Sequence, residues 1–278
     1  MLALQLFDCH RLEINTYKVH ISKNFKNSFR YLDKGIIMAQ FDRQNIRQQV
    51  SSAAMIDEGL RSYMLKVYNY MSLGLGITGV VAFFFFRYTT SNEAVFALVY
   101  QSPLMWVIAL SPLAFVLVLS FGINKMSAAT AQLTFWAFAT VMGLSLSSIF
   151  ITYTGTSIAR VFFITAATFG AMSLYGYTTK RDLTNWGSFL FMGLIGIIIA
   201  SVVNIFMASS ALAFGISVIG VLVFVGLTAY DTQKIKEEYL ESDSSEIMGK
   251  KAIMGALRLY LDFINLFLML LRLFGNRN

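Results

Sequence analysis

Between Val95 and Tyr230 only five side chains carry charge: Lys125, Arg160, Lys180, Arg181 and Asp182. A water-soluble fold of that length needs a charged surface, so most of the stretch must face lipid or other helices. The 278-residue chain is 56% hydrophobic and 13% charged, against about 45–50% and about 25% in soluble domains. The apolar segments are continuous rather than alternating, which selects helices over a barrel. Seven spans fit, at about 68–87, 104–123, 131–151, 158–178, 186–208, 211–233 and 252–273, each near the ~20 residues a bilayer requires. The expected fold class is all-α: a polytopic membrane protein built as a seven-helix transmembrane bundle over residues 51–278.

The first 50 residues differ. Residues 1–67 hold ten Lys/Arg and six Asp/Glu and no run long enough to span. Residues 1–50 are expected to form a polar, disordered segment. MLALQLFDCH is too short and too soon charged for a signal peptide. Met38 opens a more ordinary leader, so the first 37 residues are expected to be disordered or an over-extended gene start. Residues 55–67 place Met55, Ile56, Leu60, Met64 and Val67 at mostly 3–4 spacing, an amphipathic lead-in lying on the membrane surface and running into the first span.

One cysteine, Cys9, excludes an internal disulfide, and the two histidines, His10 and His20, supply no zinc or haem cluster. The formal charge of +7 does not point to nucleic acid, because the basic residues flank apolar segments and form no single patch. Arg61, Lys66, Lys125, Lys180, Arg181, Lys234, Lys236, Lys250 and Lys251 fall on one side of the proposed bilayer, and Arg87, Arg160, Arg272 and Arg277 on the other. The positive-inside rule then puts the N-terminus in the cytoplasm. A re-entrant seventh segment would return the tail to that side.

Two acids lie in apolar surroundings. Asp231 closes GVLVFVGLTAYDTQKI, and Asp262 sits inside ALRLYLDFINLFLMLLRLF. A carboxylate at bilayer depth costs roughly 2.5–3.5 kcal/mol, so it faces the bundle interior and finds a partner. Asp231 also reads as the first polar residue of a loop, and Asp262 as a structural hydrogen bond to a neighbouring helix. Within hydrogen-bonding range of each other, the two would titrate as one unit sharing a proton near neutral pH. Such a unit senses pH and binds a cation. Lys125 reads either as a topology residue or as a salt bridge closing the mouth over Asp231. Arg258, one turn before Asp262, is the alternative latch. Asn204 and Asn265 read as interhelical hydrogen bonds. No P-loop, HExxH, CxxC or GxSxG pattern is present, and no nucleophile–base set accompanies the acids, so neither an enzyme nor a cofactor is expected.

AYDTQKI at 229–235, LYLDFINLFLMLLRLFG at 259–275, KRDLTNWGSFL at 180–190 and IDEGLRSYMLKVYNYM at 56–71 resemble the Bax inhibitor-1 (transmembrane Bax inhibitor motif) family. The likeness covers about residues 50–278. It implies a seven-helix bundle with the last helix surrounded by the other six, and a pH-sensitive calcium leak. The family's sensor aspartates map onto Asp231 and Asp262, which would also meet calcium transiently as the permeant ion. A basic latch at the cytoplasmic end of the second helix, often arginine, falls on Lys125 by counting back from Gly143; lysine offers a point charge in place of a bidentate fork. The lead-in, and a C-terminus without a lysine-rich tail, look like bacterial members, which implies the inner membrane.

A proton-gated calcium-permeable channel is therefore the leading expectation. The alternative is a non-transporting interaction protein whose polar N-terminal segment modulates a membrane-anchored protease or other membrane partners. A retinal pigment would need a lysine in the middle of the last span, and Leu259 to Leu271 has none. Active transport has no inverted repeat or nucleotide motif in its favour, though a proton/calcium exchanger stays open.

Overall fold

The computed structural model describes residues 57–278. The segment 1–50 with its expected disorder, Cys9, His10 and His20 lies outside the described residues. Nine α-helices follow in order among the described residues: α1 Asp57–Thr90, α2 Glu93–Tyr100, α3 Leu104–Gly122, α4 Ala128–Leu146, α5 Ile149–Thr152, α6 Gly155–Thr178, α7 Thr184–Met207, α8 Ser210–Glu237 and α9 Ser245–Phe274. A 3-10 turn, Ile123–Lys125, extends α3. All but α2 and α5 are long and apolar enough to cross a membrane, giving the seven expected spans. Serine and threonine start several of them: Ser127, Thr154, Ser209 and Ser244 each accept the backbone N–H three residues on, relieving one orphan donor per helix.

The outward surface is apolar. Phe121, Phe163 and Phe206 are 81%, 71% and 85% exposed, a cost no aqueous surface would bear on this scale but one that hydrocarbon removes. The spans differ in how far they withdraw from that surface. In the most apolar stretch of α9, 72% of residues are buried, against 11% in α3 and in α7. α9 packs on α4, α6 and α8 and touches α1. There Thr78 of α1 donates to the Ala139 carbonyl at 2.8 Å, so the Tyr260 hydroxyl of α9, 2.6 Å away, must donate to Thr78. The Tyr260 ring is wedged between Phe135 and Phe138 of α4, edge to face at 6.1 and 5.1 Å. A second hydroxyl chain joins α1, α6 and α8: Tyr68 to Ser173 at 2.7 Å and Ser173 to Thr232 at 2.9 Å. Thr232 spends its own proton on the Thr228 carbonyl, so the donors run from Tyr68 inward.

Several local expectations change. The lead-in runs into the first span as expected, from Asp57 on as the first part of α1, but one face of it turns inward: Tyr63, Met64 and Val67 are buried in the bundle core. The last span is one unbroken helix of 30 residues, about 45 Å at helical rise, rather than a re-entrant segment. The polar stretch before it is mostly helical too, leaving only residues 238–244 as connection between α8 and α9. Asn204 does not bridge two helices through their flanks. Its Oδ1 accepts from Ser209 N–H at 3.1 Å and its carbonyl from Ala208 N–H at 2.8 Å, holding the tight α7–α8 turn in which Ala208 takes a left-handed φ of 48°. Asn265 donates within its own helix, to the Leu261 carbonyl.

The seven spans alternate in direction. The nine basic residues from Arg61 to Lys251 therefore collect at one end, and Arg87, Arg160, Arg272 and Arg277 at the other. At this second end the tail is pinned: Tyr153 and Arg277 form a backbone bridge, with Thr154 N–H donating to Asn276 and Asn278 N–H to Thr152.

Candidate functional site

Asp231 lies inside α8, six residues before its end, which overturns its reading as the first residue of a loop. Asp262 lies in the interior of α9 and is only 5% exposed. The two helices are antiparallel neighbours, and they bring the carboxyls of Asp231 and Asp262 within hydrogen-bonding reach of each other. A hydrogen bond between two carboxyls requires a proton on one of them. Oδ2 of Asp262 is buried and receives no hydrogen bond from a donor group among the described residues. A buried carboxyl oxygen without a donor calls for an explanation, and a proton shared with Asp231 supplies one.

The pair borders a cavity of about 500 Å³ between α7, α8 and α9, with Ser188, Tyr230, Arg258 and Asn265 on its walls. Small residues let the helices close around it. A Cβ on Gly187 of α7 would lie 2.5 Å from the Tyr230 ring, and a Cβ on Gly176 of α6 would run into the Ala229 carbonyl, two residues before Asp231.

Arg258 stands between the pair and the end of the bundle where the basic residues gather. It lines the same cavity as Asp231, but its Nη1 is committed to Glu238 at 2.6 Å. Beside that pair Lys251 reaches Asp243 at 2.6 Å and the Glu238 carbonyl at 2.8 Å. Tyr63 of α1, whose buried hydroxyl also has no partner, lies in the field of the same groups. Arg258 and Glu238 are 39% and 33% exposed, so their attraction is worth about 0–1 kcal/mol. Lys125 is exposed in its 3-10 turn and makes no ion pair among the described residues. Of the sequence candidates, the structure brings together Asp231, Asp262 and Arg258; it does not bring Lys125 to Asp231. Glu238 and Tyr63 were not singled out from the sequence. Glu238 lies 20 positions from Arg258, across a turn whose geometry no spacing rule supplies.

Outside the spans, Asp182 in the α6–α7 connection accepts Thr184 N–H at 2.8 Å. The Thr184 hydroxyl and N–H hold its carboxyl below the usual carboxylate range.

Seven helices long and apolar enough to cross a membrane define a polytopic α-helical membrane protein. Residues 60–278 match the model of the family described as inhibitor of apoptosis-promoting Bax1, and the chain belongs to that family. It is 54% identical over 221 residues to a protein of Rickettsia prowazekii (strain Madrid E), covering 80% of this chain and 92% of the relative. It is 51% identical over 222 residues to the inner membrane protein YbhL of Escherichia coli (strain K12), covering 79% and 93%. It is 36% identical over 222 residues to a membrane protein of Streptococcus pyogenes serotype M3, covering 80% and 96%.

Proposed function

We propose that the chain is a pH-sensitive calcium leak of the bacterial inner membrane, gated by the Asp231–Asp262 pair. The observation that carries the proposal is the approach of two carboxyls, on neighbouring membrane-spanning helices, beside a cavity. The inner-membrane location follows YbhL, whose name gives it. The cytoplasmic side is taken as the end with nine basic residues, the positive-inside sense.

The mechanism uses no bond-making step, so the protein acts without a resident cofactor and is not an enzyme. While the pair shares one proton, the carboxyls tie α8 to α9 and offer little charge to a cation. Losing the proton has two effects of the same sign. The carboxylates repel, loosening the α8–α9 contact, and they become anionic oxygen ligands for calcium. Two carboxylates, the Asn265 amide oxygen and water fall short of the roughly six to eight fixed oxygens that hold calcium tightly, which suits an ion that leaves as readily as it enters. Protons and calcium therefore compete for one site. Arg258, on the wall of the same cavity, stays committed to Glu238, which leaves the ionised Asp231 to the cation.

Calcium entry into proteoliposomes, followed across a pH series, tests this. Wild-type flux rises as the pH increases, and Asp231→Asn and Asp262→Asn flatten the profile. Unchanged profiles in both variants would sink the sensor assignment.

A further inference from the structure

The α7–α8–α9 seam holds a second cavity, at the end opposite the ion pairs of Arg258 and Lys251. It measures about 580 Å³, and its polar walls are Ser201 and Asn204 of α7, Ser210 and Ser217 of α8, Arg272 of α9 and Arg277 of the tail. No carboxylate lines it, and neither arginine has an ion-pair partner among the described residues. Both arginines are exposed at this end of the bundle, so their guanidinium donors are available to an anion that enters the cavity.

The place of Arg277 is built rather than accidental. Besides the Tyr153–Arg277 bridge, Asn276 N–H donates to Ser157 Oγ at 2.9 Å and Arg160 donates to the Phe274 carbonyl at 3.3 Å, so the backbone on both sides of the tail is fixed. The rest of the wall mixes the apolar Ile205, Ala213, Phe214 and Ile216 with serine hydroxyls, of which that of Ser217 is spent on the Ala213 carbonyl. Asn204 has its Oδ1 occupied by Ser209 N–H, which leaves the amide NH₂ as its free group. The first residue of the 28-residue α8 is Ser210, so the positive end of that helix dipole also faces the cavity.

From these groups we propose that the cavity binds a phosphate group, carried either by a phospholipid headgroup of that leaflet or by a soluble phosphate. Two planar guanidinium forks match phosphate oxygens bidentately, and the absence of an acid removes any competitor for them. The site is separate from the Asp231–Asp262 pair and does not rest on the leak reading.

The test uses the full chain, purified in detergent and stripped of lipid. Native mass spectrometry measures retention of phosphatidylglycerol against diacylglycerol, which has the same tails without the phosphate, and calorimetry measures inorganic phosphate. Preferential retention of phosphatidylglycerol with no phosphate binding assigns the headgroup; binding of inorganic phosphate assigns the soluble source. The double variant Arg272→Gln/Arg277→Gln weakens whichever is bound at least tenfold. Equal retention of the two lipids together with no phosphate binding would overturn the proposal, as would undiminished binding by the double variant. Should that variant not fold, wild-type protein decides by labelling with phenylglyoxal. Bound phosphate or phosphatidylglycerol protects Arg272 and Arg277 but not Arg87, and equal labelling with and without the ligand would overturn the site.

Discussion

Replacing Asp262 by asparagine removes the shared proton while keeping a donor where that proton sat. In the wild-type protein the contact survives only as long as one carboxyl is protonated. Two full charges about 4 Å apart repel by about 4 kcal/mol at an effective dielectric of about 20, close to a thousandfold in the equilibrium between touching and separated helices. The sign follows directly: the contact stabilises the bundle while the proton is held and turns against it once the pH rises far enough to remove it. In Asp262→Asn the amide donates to the Asp231 carboxylate at every pH. The amide's other N–H is left over at a position that is only 5% exposed, at a cost of about 1–3 kcal/mol. The variant can therefore be less stable overall, and the diagnostic is the slope with pH rather than the level. Thermal unfolding in detergent, followed by tryptophan fluorescence from pH 5 to pH 9, should show the wild-type midpoint falling towards alkaline pH and the variant midpoint level. Parallel curves for the two proteins would refute a shared proton.

Other positions give independent checks. Gly176→Ala drives a methyl into the Ala229 carbonyl, and this overpacking should destabilise by about 1–3 kcal/mol and disturb calcium flux; an unaffected thermal midpoint would show that α6 and α8 are not held at this separation. Tyr260→Phe leaves Thr78 without its donor, a loss of about 1 kcal/mol in the thermal midpoint at all pH values, with the pH profile of flux unchanged. At the left-handed Ala208, Ala208→Gly should be tolerated or stabilising by up to about 1 kcal/mol and Ala208→Val destabilising, read by the same melts. The Asp182–Thr184 contact, made by the ionised carboxyl, is fully present above the ordinary carboxylate range and is lost as the pH falls through the depressed value. A carbon-detected NMR titration of Asp182 should show that depression vanish in Thr184→Ala when the chain is labelled at aspartate.

Apolar length made the seven spans legible, because a bilayer imposes a minimum run on any helix that crosses it. The same criterion hid the lower part of α1. Arg61 and Lys66 interrupt the apolar run there, so residues 57–67 read as a surface helix, whereas Tyr63, Met64 and Val67 turn inward on one face while the charges stay outside. The two acids were legible as anomalies of cost, and their meeting follows from the antiparallel pairing of α8 and α9. Partner choice was not legible. Arg258 could be paired with Asp262 by i,i+4 spacing or, through the fold, with Glu238, and only the geometry of the 238–244 connection selects Glu238. Lys125 could be matched to Asp231 by level in the membrane, but level does not fix distance across a bundle. The pinned tail rests on backbone pairing between Tyr153 and Arg277, which leaves no trace in side-chain patterning.

The central claim is that one proton held between Asp231 and Asp262 controls calcium passage. Infrared difference spectroscopy of the reconstituted protein across a pH series observes that proton directly, as a carboxylic C=O band that vanishes when the pair becomes fully ionised. The account predicts a band absent from Asp262→Asn, with a midpoint that coincides with the midpoint of calcium flux in the same vesicles. A band that persists in Asp262→Asn, or a flux midpoint that moves independently of the band, would contradict it.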